Sequence, residues 1–469
     1  MEELDEDTKQ FQAVISRIQF DRLPRFALAI RERRQVQATL AQDQTSEVTC
    51  RVLSRPHFGT YHVVYMLQFS DGPQWAFRVP ITGFPGEHNE SAARSLHSEA
   101  LTMRLAARET TIPVPLVHDF DTSLENELRV PFILMDFVGG KPCAKAWFDT
   151  SLEASDQEQL RARTLSDLAN SMVQLNRFGF DTCGSPIYGE DGSIVDIDEG
   201  LPVYHDVDPS TDPKQSFLNT IDHQQPPSDS FSQGIRKLLR LFTEWLPQDT
   251  WEPGYVLTHP DLQFQNVVVA EDGAIVGLIN WDGVATLPRH SGNERYPSWL
   301  TRDRDPTMYA YGDTLLDASE ACKENSPEEL SRYRAMYLGF LAKYLPEEAK
   351  RRATGRSLLL DNLSIAAGEA IFTDGIVLKI FEECVRARGE KLFGPRNKAT
   401  VEPQSDGSAP SDGKEEDEES RRSDGLHDYE FLTELVDGEF DQVQLQKLKE
   451  GFDLLCHELD NIVPTLPIA

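Results

Sequence analysis

The spacing of apolar residues changes several times along the chain and predicts a mixture of helices and strands. Residues 8–42 carry apolar side chains three or four positions apart, which predicts a helix that Pro24 splits. Turn-forming residues at 56–59 and 71–72 then separate three short β-rich runs, which predicts antiparallel strands. These runs are CRVLS at 50–54, YHVVYMLQF at 61–69 and QWAFRVP at 74–80.

The pattern that follows completes a small lobe. Residues 90–108 have helical spacing, and two further apolar runs, TIPVPLVHDF at 111–120 and VPFILMDFV at 130–138, predict two more strands. Five strands with one helix inserted after the third would form a compact, mixed unit.

Helical patterns dominate the rest of the chain, with one strand-rich interruption. We expect helices at 156–178 and 231–246, strands within 255–287, and mainly helices over 308–390. Residues 181–230 are rich in Asp, Pro, Gly and Ser, which predicts a long irregular insertion. The tract 401–424 is nearly free of apolar residues and is expected to be disordered, and a last helical stretch follows at 429–462.

Composition limits the partners that suit this chain. The 469 residues include 78 acidic and 46 basic ones, which gives a formal net charge of −32. Such a chain is poorly suited to neutralise the phosphates of nucleic acid or to bind an anionic membrane. The acidic N-terminus lacks the apolar segment of a signal peptide, and the six cysteines show no zinc-ligand spacing. We therefore expect a cytoplasmic protein that binds neither nucleic acid nor membrane.

The most informative segment is HPDLQFQN at 259–266, which follows one apolar strand and precedes another. It has the form H-x-D-x-x-x-x-N, and a further strand ends in INWDG at 279–283. This arrangement suits phosphoryl transfer, because one carboxylate can take the proton of an acceptor hydroxyl while an amide oxygen and a second acid hold Mg²⁺. The alternative is a loop in which Asp261 is a cap and Asn266 makes a structural hydrogen bond.

With several other segments, this motif makes the chain resemble the aminoglycoside phosphotransferase/choline kinase family of protein-kinase-like enzymes, especially its fungal members. The resemblance covers roughly residues 50–390. The similar segments occur in the family's order: FRVP at 77–80, HSEALTMRLAARETTIPVP at 97–115, FILMDFVGG at 132–140, THPDLQFQNVVV at 258–269, GLINWDG at 277–283 and YPSWLTRDRDP at 296–306.

The resemblance implies an α+β, protein-kinase-like fold with two lobes: a small N-lobe with a mixed β-sheet and a large, mainly helical C-lobe. The chain would then divide into five regions. These are an N-terminal helical extension at 1–45, the nucleotide-binding N-lobe at 46–140, the C-lobe with the catalytic loop and substrate region at 141–395, an acidic disordered linker at 396–427 and a C-terminal helical segment at 428–469.

The resemblance also implies roles for individual residues. It places the catalytic base at Asp261 and a metal-coordinating amide at Asn266. The phosphate-holding cation of the third strand falls at Arg78 and its helix glutamate at Glu99. An alternative for Arg78 is an ion pair with Glu99 and nothing more.

The nucleotide site implied by the resemblance lies where the two lobes join. Backbone groups of the segment that includes Met135, Asp136 and Val138 would meet the adenine of ATP. Gly59, in the first hairpin, stands where a loop would cover the phosphates, but no glycine-rich motif surrounds it. The implied cofactors are ATP and Mg²⁺.

One departure from the family pattern concerns the metal. The second metal-binding aspartate of the family aligns with Asn280, whose neutral amide offers Mg²⁺ an oxygen but no charge. In an extended strand, side chains two positions apart point to the same face. Asp282 would therefore point to the same side as Asn280, ~6–7 Å further along the strand. Either Asp282 compensates at the ion, or it is a structural acid.

Three functional hypotheses follow. The first is an ATP-dependent transfer of phosphate to a hydroxyl of a small molecule, with a cationic acceptor favoured if Asp303, Asp305, Asp313 and Asp317 line the cleft. The second is a catalytically impaired pseudokinase that acts as a scaffold or regulator because of Asn280. The third is a protein kinase, for which no APE-like segment is visible.

Overall fold

The structure, a computed structural model, describes seven stretches of the chain: residues 6–37, 48–199, 212–251, 254–311, 324–345, 348–388 and 442–466. These residues form two compact units. The first contains 6–37, 48–199 and 254–293, and the second contains 212–251, 294–311, 324–345, 348–388 and 442–466. Every candidate site residue at positions 78–138 and 261–282 belongs to the first unit.

Strands are concentrated in the first unit. They are β1 (Cys50–Val52), β2 (His57–Phe58), β3 (His62–Phe69), β4 (Gln74–Pro80), β5 (Val117–Asp121), β6 (Phe132–Asp136), β7 (Lys141–Pro142), β8 (Gly179–Phe180), β9 (Ser185–Tyr188), β10 (Ile194–Asp198), β11 (Tyr255–Thr258), β12 (Val267–Val269), β13 (Ile275–Leu278) and β14 (Ala285–Pro288).

Helices occur in both units. They are α1 (Gln12–Ile15), α2 (Leu23–Gln37), α3 (Glu90–Glu109), α4 (Cys143–Trp147), α5 (Ala154–Leu175), α6 (Pro213–His223), α7 (Ser230–Trp245), α8 (Pro327–Leu341), α9 (Glu348–Gly368), α10 (Ala370–Arg388) and α11 (Gln442–Asp460). In the described part of the chain, none is both long and apolar enough to cross a bilayer.

A six-stranded antiparallel sheet forms the main layer of the first unit. Its order is β1-β3-β4-β6-β5, with β2 paired to β3. Alternate residues of β3 and β4 point to one face, where they form a core with the N-terminal helices. The residues buried there are Val63, Tyr65, Leu67, Phe69, Trp75, Phe77 and Val79 from the strands and Phe11, Val14, Ile18, Leu23, Ala27 and Ile30 from the N-terminal segment.

Helix α3 begins at a clear cap and carries one of the site residues. The side chain of Asn89 accepts a hydrogen bond from the backbone N–H of Ala92, which satisfies one of the free donors of the first turn. Glu99, near the middle of the helix, is 2% exposed. A carboxylate is rarely buried to that degree without a partner, so we expect a cationic side chain beside Glu99.

Besides the two-stranded hairpin of β9 and β10, two three-stranded antiparallel sheets complete the first unit. One has the order β14-β11-β8 and the other β13-β12-β7. Strand β11 leads into the loop at 259–266, and the hairpin of β12 and β13 follows that loop. The predicted strand-rich character of residues 255–287 is confirmed, and it frames the motif on both sides.

The second unit consists largely of helices α6 to α11. In α11, Gly451 lies so close to α10 that an added Cβ would be 2.3 Å from the backbone oxygen of Cys384. Arg356 of α9 donates to both carboxylate oxygens of Asp460, at 2.5 and 2.6 Å. A close backbone approach and a bidentate ion pair thus hold the C-terminal helix against its neighbours.

The α+β fold class predicted from the sequence is confirmed, and two local predictions need correction. The segment 181–230 is not irregular throughout, because it contains the hairpin of β9 and β10 and helix α6, whose N-terminus is capped by Asp212. Pro24 does not split a helix; it stands in the first turn of α2, where its missing N–H costs little. The predicted tract at 401–424 lies outside the described residues.

Candidate active site

The loop at 259–266 is closed by its own hydrogen bonds. The side-chain Nδ2 of Asn266 donates to the backbone oxygen of Asp261 at 2.8 Å and to its carboxylate Oδ2 at 2.7 Å. Because both partners are acceptors, the nitrogen of this amide is identified and its Oδ1 must point elsewhere. The two residues singled out by the motif are therefore in direct contact.

His259 ties this loop to the segment that follows β13. Its ring is 1% exposed and meets Trp281 edge-to-face, with 4.7 Å between ring centroids. The backbone N–H of Asp261 donates to Nδ1 at 3.2 Å, so the proton of the neutral ring is on Nε2, which donates to the carbonyl of Ile279 at 3.1 Å. With both nitrogens engaged, the ring supports the loop.

The hairpin of β12 and β13 brings Asn266 towards Asn280. Val267 pairs with Leu278, and the N–H of Ile279 donates to the backbone oxygen of Asn266 at 3.0 Å. Residues that are 14 positions apart thus sit at the same open end of the hairpin. The hairpin therefore places Asn266 beside Ile279, the residue that precedes Asn280.

The segment after β13 is not extended, which corrects an expectation from the sequence. The strand ends at Leu278, Asn280 has φ +65°, and Asp282 begins a turn. Asparagine tolerates this left-handed conformation better than most residues, because its short polar side chain hydrogen-bonds locally. Trp281 is fully buried and donates from Nε1 to the carbonyl of Leu278 at 3.0 Å, which anchors the bend.

Arg78 is the centre of a buried polar cluster on the sheet face opposite the apolar core. Its Nη1 donates to Oε1 of Glu99. Its Nη2 lies 3.1 Å from Oδ1 of Asn280 and 3.1 Å from Nδ1 of His62. The guanidinium therefore joins strand β4, helix α3, strand β3 and the segment after β13.

Burial shifts the titration of two members of this cluster. Burial raises the pKa of Glu99 to about 7, with a further increase from Asp282 and an opposing decrease from Arg78. Burial and the nearby charge of Arg78 hold the pKa of His62 well below 6.5. The ring of His62 is therefore neutral at physiological pH.

The donor set of the cluster suits a hard cation. The Oδ1 of Asn266 and the carboxylate of Asp282 are oxygen ligands of the type that Mg²⁺ prefers. Within the residues that the structure describes, His62, Glu99 and Asp282 form a group whose ligand atoms lie within 4.8 Å of one another, and His62 Nε2 is 3.9 Å from Asp282 Oδ2. Asn280 offers less to an ion, because its Oδ1 already accepts from Arg78.

The segment expected to meet adenine already uses two of its backbone donors. Met135 and Asp136 end strand β6; the N–H of Asp136 donates to Leu116, and the N–H of Phe137 donates to Gln74, both at 3.0 Å. The side chain of Val138 covers Gly277, where an added Cβ would be 2.5 Å from Val138 Cγ1. A base bound here would therefore have to use other groups than the N–H of 136 and 137.

Two of the four acidic residues considered for a cationic acceptor, Asp303 and Asp305, are engaged inside the second unit. Asp303 accepts from both Nη atoms of Arg334, at 2.7 and 3.0 Å. Asp305 is 6% exposed and accepts from the backbone of Thr307. The positions 313 and 317 lie outside the described residues. An ion pair and a local backbone hydrogen bond thus explain the two described acids without a ligand.

His62 is the site residue that sequence reasoning missed. One signal was present: His62 and Val64 share a face of β3, and Val64 pairs with Arg78 on β4. That face is the one opposite the apolar core. A histidine two positions from the partner of a buried arginine was therefore a candidate neighbour.

Comparison with known proteins adds independent information. A family model described as "Phosphotransferase enzyme family" matches residues 55–290, which is about half of the chain and includes every candidate site residue. Among curated relatives, "Altered inheritance of mitochondria protein 9, mitochondrial" of Vanderwaltozyma polyspora is 26% identical over 155 residues, which are 32% of this chain and 23% of that protein. The protein of the same name from Saccharomyces cerevisiae strain S288c is 27% identical over 139 residues, or 28% of this chain and 22% of its own length.

The chain thus spans less than a quarter of the length of these curated relatives. Among solved structures, the apoenzyme of macrolide 2'-phosphotransferase from Brachybacterium faecium is similar, with a TM-score of 0.39 and 13% identity. That match covers 74% of this chain and 96% of the other.

Proposed function

The chain belongs to the phosphotransferase enzyme family, and on that premise we propose that it transfers the γ-phosphate of ATP to a hydroxyl group of a small molecule. The observation that carries the proposal is the contact of Asp261 with Asn266, at one end of a hairpin that also presents Asn280. A buried Arg78–Glu99 pair in the same unit supplies the cation that phosphoryl transfer requires.

Asp261 would orient the acceptor and take its proton. Its Oδ2 is held by the amide of Asn266, and in the described structure its Oδ1 has no such donor, so that oxygen is the one that an acceptor hydroxyl would meet. A carboxylate fixed at one oxygen is restrained in orientation, which favours proton transfer in a defined geometry. Arg78 would steady the phosphates.

Asn266 and Asp282 would hold Mg²⁺, since both offer hard oxygen donors near the open end of the hairpin. When bound, the ion supplies charge neutralisation at the phosphates. Asn280 would contribute at most a neutral oxygen that it shares with Arg78. The carboxylate of Asp282, not the amide of Asn280, would therefore supply the negative charge that the family pattern requires.

The test is release of ADP from Mg-ATP in the presence of a library of hydroxyl-bearing metabolites. We expect at least one compound to raise ADP release well above the rate without acceptor. Asp261→Asn should abolish the increase, while Asp272→Asn, an exposed acid in the turn between β12 and β13, should not. Failure of every acceptor, with equal ATP turnover in Asp261→Asn and the unmodified protein, would contradict the proposal.

A catalytically impaired pseudokinase is the second candidate, and the hydrogen bond from Arg78 to Asn280 favours it. That bond occupies the oxygen that an ion would need at this position. A thermal-shift titration separates the candidates, because a ligand that binds the folded state raises apparent stability in proportion to ln(1 + [L]/Kd). A large, Mg²⁺-dependent shift with ATP supports the enzyme; no shift with ATP, and no gain of activity in Asn280→Asp, supports the pseudokinase.

A further inference from the structure

We propose that His62 is a positioning residue whose ring nitrogen Nδ1 fixes the plane of the Arg78 guanidinium. This inference rests on the proposed function, because it is at the phosphates that the orientation of Arg78 would matter. No role for position 62 follows from the family resemblance stated above.

Sheet geometry places the two side chains together. Val64 of β3 pairs with Arg78 of β4, and His62 lies two residues before Val64, so it projects from the same face. Diagonal neighbours on adjacent strands are within reach of long side chains. Nδ1 of His62 is 3.1 Å from Nη2 of Arg78, and the His62 side chain is 13% exposed.

Three acceptors surround two nitrogens of the guanidinium. Glu99 accepts from Nη1, whereas His62 and Asn280 both accept from Nη2. A guanidinium nitrogen of the Nη type carries two hydrogens, so Nη2 can serve both acceptors at once. If Glu99 were the only acceptor, the plane of the guanidinium could still turn about the side-chain bonds of Arg78. The two acceptors at Nη2 remove that freedom.

A metal site built on His62, Glu99 and Asp282 is the competing explanation, since these groups are close together. Nδ1 accepts from Arg78, so the proton of the neutral ring must be on Nε2, the nitrogen that faces Asp282 at 3.9 Å. A protonated nitrogen has no lone pair for a metal ion. The hydrogen bond to Arg78 therefore assigns His62 to positioning and not to ligation.

Substitution at position 62 tests the proposal through nucleotide affinity. His62→Phe keeps a flat ring but removes the acceptor, and we expect the Kd for Mg-ATP, measured by calorimetry, to rise about tenfold. KM for ATP should rise in step while kcat changes less, because chemistry at Asp261 is untouched. His62→Asn, which can place its Oδ1 near the position of Nδ1, should restore most of the affinity, and His57→Phe, at an exposed histidine of the adjacent β2, should have no effect. Unchanged affinity in His62→Phe would overturn the proposal.

A second measurement needs neither nucleotide nor mutation of His62. Nitrogen NMR of the protein with ¹⁵N-labelled histidine should show an unprotonated Nδ1 and a protonated Nε2 for His62, and the Nδ1 signal should move in Arg78→Met. A protonated Nδ1, or an Nδ1 signal that is unchanged in Arg78→Met, would overturn the proposal. Should the unmodified protein bind no nucleotide at all, the proposed function fails, while this measurement still decides whether His62 holds Arg78.

Discussion

The loop at 259–266 and the segment at 279–282 carry the two halves of the candidate site, and they are held in different ways. The loop is closed internally, by bonds between Asp261, Asn266 and His259. In the later segment, Trp281 bonds back to Leu278 and Ile279 is bonded by the loop, but the two candidate ligands are held from outside: Asn280 is bonded by Arg78, and Asp282 lies near His62. A short motif can therefore specify the first, whereas the second depends on strands and a helix that are about 200 residues away in the chain.

The largest expected effect concerns the loop. Asp261→Asn should lower kcat by roughly 10²- to 10⁴-fold with little change in KM, because the carboxylate proposed as the base is lost while Asn266 can still donate to the new amide oxygen. Steady-state kinetics with an identified acceptor provide the measurement. A loss of folded protein in this variant would instead show that the carboxylate has a structural role.

The next largest expected effect concerns Arg78, which bonds Asn280 in the segment at 279–282. Arg78→Met leaves the carboxylate of Glu99 buried without its partner, and we expect the free energy of unfolding in urea to fall by about 3 kcal/mol. The matched control is Lys141→Met, which breaks an exposed pair with Glu271 and should leave the stability nearly unchanged, because water and salt screen such a pair. The double variant Arg78→Met, Glu99→Met should recover part of the loss. Equal costs in the two single variants would mean that burial does not distinguish these pairs.

A smaller effect separates the candidate metal ligands. Asp282→Asn should raise the Mg²⁺ concentration for half-maximal ATP binding by about tenfold, because it removes the carboxylate proposed to hold the ion. Asn280→Ser, which removes the amide but no charge, should change it much less. A Mg²⁺ titration followed by thermal shift measures both. A larger change in Asn280→Ser than in Asp282→Asn would identify residue 280 as the principal ligand of the segment.

The smallest effect isolates the bend of the backbone. Asn280→Ala and Asn280→Gly both remove the bond to Arg78, but only alanine is strained at φ +65°. We expect the alanine variant to be less stable than the glycine variant by about 1 kcal/mol in denaturant unfolding. Equal stabilities would indicate that the segment relaxes out of the left-handed conformation.

The prediction from the sequence worked best where the information is local. The family, the α+β class and the strands on both sides of the motif are confirmed. The roles of the individual site residues and the boundaries of the five regions stay predictions. The irregular insertion expected at 181–230 was wrong because a high content of polar and turn residues also suits a short hairpin and a capped helix.

The sequence by itself determined the alternation of β3 and β4 and the motif spacing that closes the loop, since both depend on neighbours a few residues apart. Only the tertiary structure decided that the chain bends at Asn280, that Arg78 bonds its amide, and that His62 completes the cluster. These contacts join positions 16 and 202 residues apart in the chain. The acceptors that a buried guanidinium bonds depend on how separate strands and helices pack against one another. No local pattern of residues encodes that packing.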